Sequence, residues 1–267
     1  MRNIFAHHAH LYPTDERPNG DRNSLLSLLD ACKIEKCVVF APMPHRTQLV
    51  NPNQWLKNET EHSDGRLFGF GTIDIRKENI EEQVQEIRSL GLYGIKLHPA
   101  SQQFHLLSEK ARRIYSEAEK AKLPISFHTG VHFYRISSYQ MLLYDEISYS
   151  FPSLRYSMEH MGGYCFFNDA LAVMINNSKH NMPYAGLTSV SDLTTNRYWF
   201  LSDQQLRDLV LMTGSRHLLF GLDFPYNQIE NIREAITRFE RLGWDDETLS
   251  LFFSENLKCF LGLDKMN

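Results

Sequence analysis

Twelve of the 267 residues are histidine, about twice ordinary usage, and a neutral imidazole is the commonest transition-metal side-chain ligand. His8 and His10 stand two residues apart. In an extended chain both side chains face the same way, with Cα atoms roughly 6.5 Å apart, so two imidazoles can converge on one ion at about 2.1 Å each. The pair alone is a weak signal, because chance supplies roughly half such a pair in a chain this rich in histidine. The other groups with chemical potential are His45-Arg46, Lys96 and His98, His128-Thr129-Gly130, Glu159-His160 and Asp223. Each has a plain structural use: His128 as a buried core residue, Asp223 as a helix cap before Pro225, His160 packed beneath the Gly162-Gly163 turn, His98 ordered by Pro99.

What gives these residues weight is where the elements place them. Eight short β-rich runs are predicted at 3–6, 36–41, 67–73, 93–97, 123–127, 154–158, 183–188 and 217–222. Between them, 24–34, 79–90, 108–122 and 203–212 show helical periodicity, and helices at 227–242 and 246–261 close the chain. Ser108, followed by Glu109, reads as an N-cap with an acid in the first turn. Strands alternating with helices imply βα units on a parallel sheet, and eight units in this length imply an α/β fold, a (β/α)8 TIM barrel with an extra C-terminal helix; a doubly wound open sheet is the alternative. In a barrel, function sits at the C-terminal strand ends. The histidines and Asp223 follow strands 1, 2, 4, 5, 6 and 8, and this joint placement points to a metal site at the barrel mouth. The stretch 131–149, long and aromatic, reads as a loop over that mouth, with Phe133, Tyr134, Tyr139 and, further on, Trp199 as candidate pocket residues.

Composition narrows the classes. Hydrophobic residues are 42% and charged residues 22%, which excludes long disorder and a rod. A net charge of −4 leaves no basic footprint for nucleic acid. No apolar run approaches the roughly 18 residues of a membrane span, and the N-terminus turns polar too soon for a signal peptide. Cys32, Cys37, Cys165 and Cys259 match no zinc ribbon or redox pair, so buried free thiols in the cytoplasm are expected. No linker or repeat divides the chain, so residues 1–267 are expected to form one domain, with a homodimer as the oligomeric state to test.

Ala6–His10 followed by Leu11-Tyr12-Pro13, then GIKLHP (94–99), LPISFHTG (123–130), FPSLRYSMEHMGG (151–163) and FGLDFP (220–225) together resemble the amidohydrolase superfamily. Within it they resemble the branch of aminocarboxymuconate-semialdehyde decarboxylase and related metal-dependent hydrolases. The resemblance implies one divalent ion, zinc with manganese as the alternative, on His8, His10, His128 and Asp223. It implies His160 as the catalytic histidine, with Asp223 sharing the general-base role, and Arg46 as a group for a substrate carboxylate. Lys96 and His98 share a strand face and join Arg46 as candidate substrate contacts; in two-metal branches a lysine at this strand is carboxylated, but one ion is expected here. The family usually carries an Asp two residues before the H-x-H; here that position is Ala6, which by strand parity should point the same way as His8 and His10. Such a site activates water for attack on a carbonyl. The expected function is hydrolysis of a small, anionic lactone, ester or amide. Non-oxidative decarboxylation of an unsaturated or aromatic acid at the same site is the alternative, Arg135 adding a further cation. A non-catalytic binding barrel is the reading from another class, and a phosphoesterase barrel a further one.

Overall fold

The computed structural model describes residues 2–194 and 196–263. Its strands are β1 (Phe5–His10), β2 (Lys36–Phe40), β3 (Leu67–Thr72), β4 (Gly94–Leu97), β5 (Ile125–His128), β6 (Tyr156–Glu159), β7 (Tyr184–Gly186), β8 (Leu218–Leu219) and β9 (Gly221–Phe224). All neighbours pair in parallel, in the order β8-β7-β6-β5-β4-β3-β2-β1-β9. β8 and β9 are two halves of one strand broken at Phe220. The first half pairs with β7 and the second with β1, so the ring closes as the eight expected strands of a TIM barrel.

The helices lie outside because each has one apolar stripe. The helix Arg22–Cys32 starts at Asp21, whose side chain accepts from the Asn23 and Ser24 amides, and buries Leu25, Leu28, Leu29 and Cys32. The helix Glu109–Ala121 is capped by Ser108 and buries Ala111, Ile114, Tyr115 and Ala118. Four helices were not read from the sequence: Pro52–Glu61, Pro99–Gln102, Tyr144–Ser150 and Gly163–Asn176. The last begins at a Gly-Gly pair that reads as a turn. The expected loop over 131–149 is irregular to 143 apart from two short 3-10 turns, then becomes helix.

The C-terminal segment forms one helical rod, Asp246–Ser250, a π turn over Leu251–Glu255, then Asn256–Leu261. Leu257, Phe260 and Leu261 enter the inner cluster with Phe5, Val38, Phe40 and Phe70, so the extra helix seals the barrel floor. Arg155 ties it there by donating to the Cys259 and Phe260 carbonyls at 3.1 and 2.7 Å. Cys32 and Cys37 are buried free thiols as expected, whereas Cys165 and Cys259 are exposed. Among the described residues no helix is long and apolar enough to cross a membrane.

Candidate active site

β1 builds one wall of the site, and not by simple alternation. Its register with β2 shifts between Ala6 and Ala9, and His8 has φ 60°, a conformation that costs a residue with a Cβ about 1–2 kcal/mol. The bulge turns two consecutive side chains inward. His7 packs among Phe40, Phe70 and Phe260 at 5.5 Å each, and His8 follows it, while Ala6 and Ala9 face the helix layer with Leu25 and Leu29. The expectation that residue 6 shares the face of His8 and His10 is therefore wrong, because the bulge inverts strand parity between them. His160 and Asp223 also have positive φ, 67° and 56°. Three residues singled out for chemistry thus carry positive φ, a conformation often found at functional sites.

His8, His10 and Asp223 converge. His8 Nε2 lies 3.2 Å from His10 Nε2 and 3.4 Å from Asp223 Oδ1, and His10 Nε2 lies 3.6 Å from the same oxygen. A tetrahedral ion with bonds of about 2.1 Å needs ligand atoms about 3.4 Å apart, so this triangle fits a divalent ion. His128 is not part of it. Its ligand atom groups instead with those of His98 and His132; its ring stacks on His98 at 3.9 Å, and its Nε2 donates to the Gly130 carbonyl at 2.8 Å.

Hydrogen-bond partners assign the tautomers. His8 Nδ1 donates to Glu159 Oε2 at 2.7 Å, which leaves Nε2 bare towards the triangle. His160 Nδ1 donates to the Thr188 carbonyl at 2.8 Å, and its Nε2 is buried with no hydrogen-bond partner. His98 is the reverse case. Its Nδ1 accepts from the Ser101 amide at 3.3 Å, so Nε2 carries the proton and is a donor, which disqualifies the His98–His128–His132 group as a second ion site in this form. Burial lowers the pKa of His160 to about 4 against the opposing pull of Asp223. Burial also lowers His8 well below its usual value, with Lys96 acting in the same direction. Burial by itself would raise the Asp223 carboxyl, but the neighbouring His10, His8 and His160 rings hold it far below the ordinary range. At neutral pH the imidazoles are bare and the carboxylate is charged, the forms a metal needs.

Around this centre is a cleft of about 320 Å³. Trp199 roofs it, stacked on His160 at 4.0 Å and held by a 2.7 Å bond from its Nε1 to the Val131 carbonyl. Lys96, His98 and Arg46 all reach the lining. Lys96 is buried, its Nζ has no hydrogen-bond partner, and it lies 4.5 Å over the Phe40 ring; burial lowers its pKa to about 8 against Glu159 and Asp223. Arg46 hydrogen-bonds the Tyr134 hydroxyl, which donates to Ser101 Oγ at 3.0 Å. Arg135 lines a separate cleft with Gln103 and His105. Tyr139 is buried, and Phe133 points to solvent. Two residues were missed from the sequence, His132 and Arg17, which lies 4.3 Å over the Tyr226 ring at the cleft; Glu159 was noted beside His160 but given no role. The signal for Glu159 is an acid at the end of a buried strand.

A family model described as Amidohydrolase matches residues 7–263. No curated protein matches the chain by sequence. Among solved structures, it resembles a probable 2-pyrone-4,6-dicarboxylic acid hydrolase from Acinetobacter baumannii at 16% identity and TM-score 0.72, covering 97% of this chain and 99% of that one. It resembles a dihydroxybenzoic acid decarboxylase from Polaromonas, solved with manganese and 2-nitroresorcinol, at 14% identity and TM-score 0.74, covering 99% and 98%. It also resembles 5-carboxyvanillate decarboxylase from Sphingomonas paucimobilis at 12% identity and TM-score 0.73, covering 98% and 99%. At these identities the likeness is one of fold.

Proposed function

The chain belongs to the amidohydrolase family, and from that premise we propose that it is a metal-dependent hydrolase of a small anionic lactone, ester or amide. The observation that carries this reading is the triangle of His8, His10 and Asp223 with the bare Nε2 of His160 beside it: the His8 and His160 rings lie 5.0 Å apart. A divalent ion held there, zinc or the manganese seen in one solved neighbour, polarises a carbonyl and lowers the pKa of water.

The chain's own residues do the rest. His160, its Nδ1–H committed to Thr188, presents Nε2 as the proton acceptor for attacking water. Asp223, anionic nearby, stabilises the imidazolium that results; its strongly lowered carboxyl makes it a poor partner in the expected shared role of base. Trp199 fixes the ring plane and excludes bulk water. Lys96 Nζ, His98 Nε2–H and the Arg46 guanidinium offer three donors to an anionic substrate. The cytoplasm remains the proposed setting.

Decarboxylation is the second reading, favoured by one observation. Loss of carbon dioxide from an aromatic acid needs a proton delivered to carbon, and Lys96, buried, unpartnered and protonated at neutral pH, is a donor of that kind. Asp223, held anionic, is a poor one. The test is to incubate the zinc- or manganese-reconstituted protein with 2-pyrone-4,6-dicarboxylate and 2,6-dihydroxybenzoate in H2¹⁸O. Incorporation of ¹⁸O into a ring-opened acid without release of carbon dioxide is expected. Carbon dioxide release with no ¹⁸O would replace hydrolysis by the second reading.

A further inference from the structure

Glu159 is a buried charge for which catalysis as described has no use. It ends β6, and none of its surface reaches solvent. A carboxylate there must be met by protein donors. Ser157 Oγ donates to Oε1 at 2.6 Å, while Thr188 Oγ1 and His8 Nδ1 donate to Oε2 at 3.0 and 2.7 Å. Two neighbouring strands are cleared to make room. A Cβ at Gly186 would fall 2.4–2.5 Å from the Glu159 carboxyl atoms, and one at Gly221 would fall 1.9 Å from Thr188 Oγ1. Neither position admits a side chain while the carboxylate and its donor stay in place.

The arrangement acts on two rings at once. Thr188 gives its hydroxyl to Glu159 and its carbonyl to His160 Nδ1, so one residue braces both His8 and His160. On His8 the effect is specific: a proton kept on Nδ1 leaves the Nε2 lone pair aimed at His10 and Asp223. His8 also holds a strained backbone, which needs an anchor. Residue 6, where a strand-1 carboxylate was looked for, is an alanine facing the helix layer. Glu159 reaches His8 from another wall of the barrel.

We propose that Glu159 is the positioning residue of the metal centre, fixing the tautomer and orientation of His8 through a carboxylate–histidine pair braced by Ser157 and Thr188. The proposal rests on the reading of His8, His10 and Asp223 as ligands. Carboxylates behind metal-bound histidines raise ligand basicity, and their loss typically costs 10–100-fold in affinity.

The test is Glu159→Gln, which keeps length and an oxygen acceptor and removes the charge. Zinc and manganese Kd are measured by chelator competition, beside the melting temperature of the metal-free protein. A Kd weaker by about 10–100-fold is expected; the metal-free melting temperature should fall as well, because the Gln amide nitrogen must face one of the three donors and buried Lys96 loses a nearby carboxylate. A residue that only braces the barrel predicts a lower melting temperature with Kd unchanged, and an unchanged Kd overturns the proposal. If Glu159→Gln does not fold, Thr188→Val decides: it removes one donor at nearly constant shape and should weaken Kd about threefold or more, and an unchanged value sinks the idea. Wild-type protein that binds neither ion removes the ligand assignment and the proposal with it. Wild-type binding that is indifferent to both substitutions leaves the ligands standing and removes only Glu159.

Discussion

An imidazole serves as ligand or base only through the nitrogen its other hydrogen bond leaves bare. That rule separates histidines the sequence presents as equals. His8 and His160 turn a bare Nε2 into the site, whereas His98 turns a proton into it. His8→Ala or Asp223→Ala should therefore lower metal content sharply, because each removes one corner of the triangle; elemental analysis that finds full occupancy in both variants would refute the assignment. His160→Gln should keep the metal and lose about 10²-fold or more in kcat, the usual worth of a positioned general base. Near-normal turnover would remove His160 from the chemistry. At this scale the triangle His8, His10 and Asp223 was legible because H-x-H and a strand-terminal Asp are local signals, whereas His128, expected as a fourth ligand, falls in another group. The partner of each ring was not. Glu159 lies 151 residues from His8, and pairing across a barrel leaves no spacing to count.

Strands and helices were legible to the extent that apolar period decides them. The runs at 36–41 and 67–73 match β2 and β3 within one residue, and the stripe Leu25, Leu28, Leu29, Cys32 is the buried face of its helix. Strand 1 was not. Expected at 3–6, it runs from Phe5 to His10, because β-propensity gives histidine little weight while pairing on both sides with β2 and β9 holds it extended. The bulge that swings His7 and His8 inward has no sequence mark either; it is set by tertiary pairing. The C-terminal helix, by contrast, was placed correctly at 246–261, and its task is the barrel floor. Phe260 is fully buried there against Phe70, His7 and Tyr184. Phe260→Ala should cost about 3–5 kcal/mol, read as a melting temperature lower by roughly 2–4 °C per kcal/mol. The metal Kd should be unaffected, since Glu159 and not the floor orients His8. Unchanged melting would mean that the helix merely rests on the barrel.

Across the whole molecule the same burial that bares the imidazoles sets a stability profile. Burial lowers His7 to about 4, with Glu159 pulling the other way, and it lowers His217, just before β8, to about 4 as well. His160 is in the same position. An unfolded histidine titrates near 6.5, so between pH 6.5 and 4 the unfolded chain binds more protons than the folded one. Stability then rises with pH across that window and is lost as pH falls through it, by roughly 1.4 kcal/mol per unit of pKa depression at each buried ring. The metal-free protein should hold its melting temperature from pH 7.5 to 6.5 and lose it steeply by pH 4.5. His217 separates this effect from the active site. It packs against Tyr184 at 4.6 Å, and its Nδ1 has no hydrogen-bond partner. His217→Gln should therefore flatten part of the acid loss while leaving metal binding at pH 7.5 as it was. A melting temperature level down to pH 4.5 would mean that the interior admits charge or water at these rings, and would undercut the use of their neutrality to argue for a metal centre.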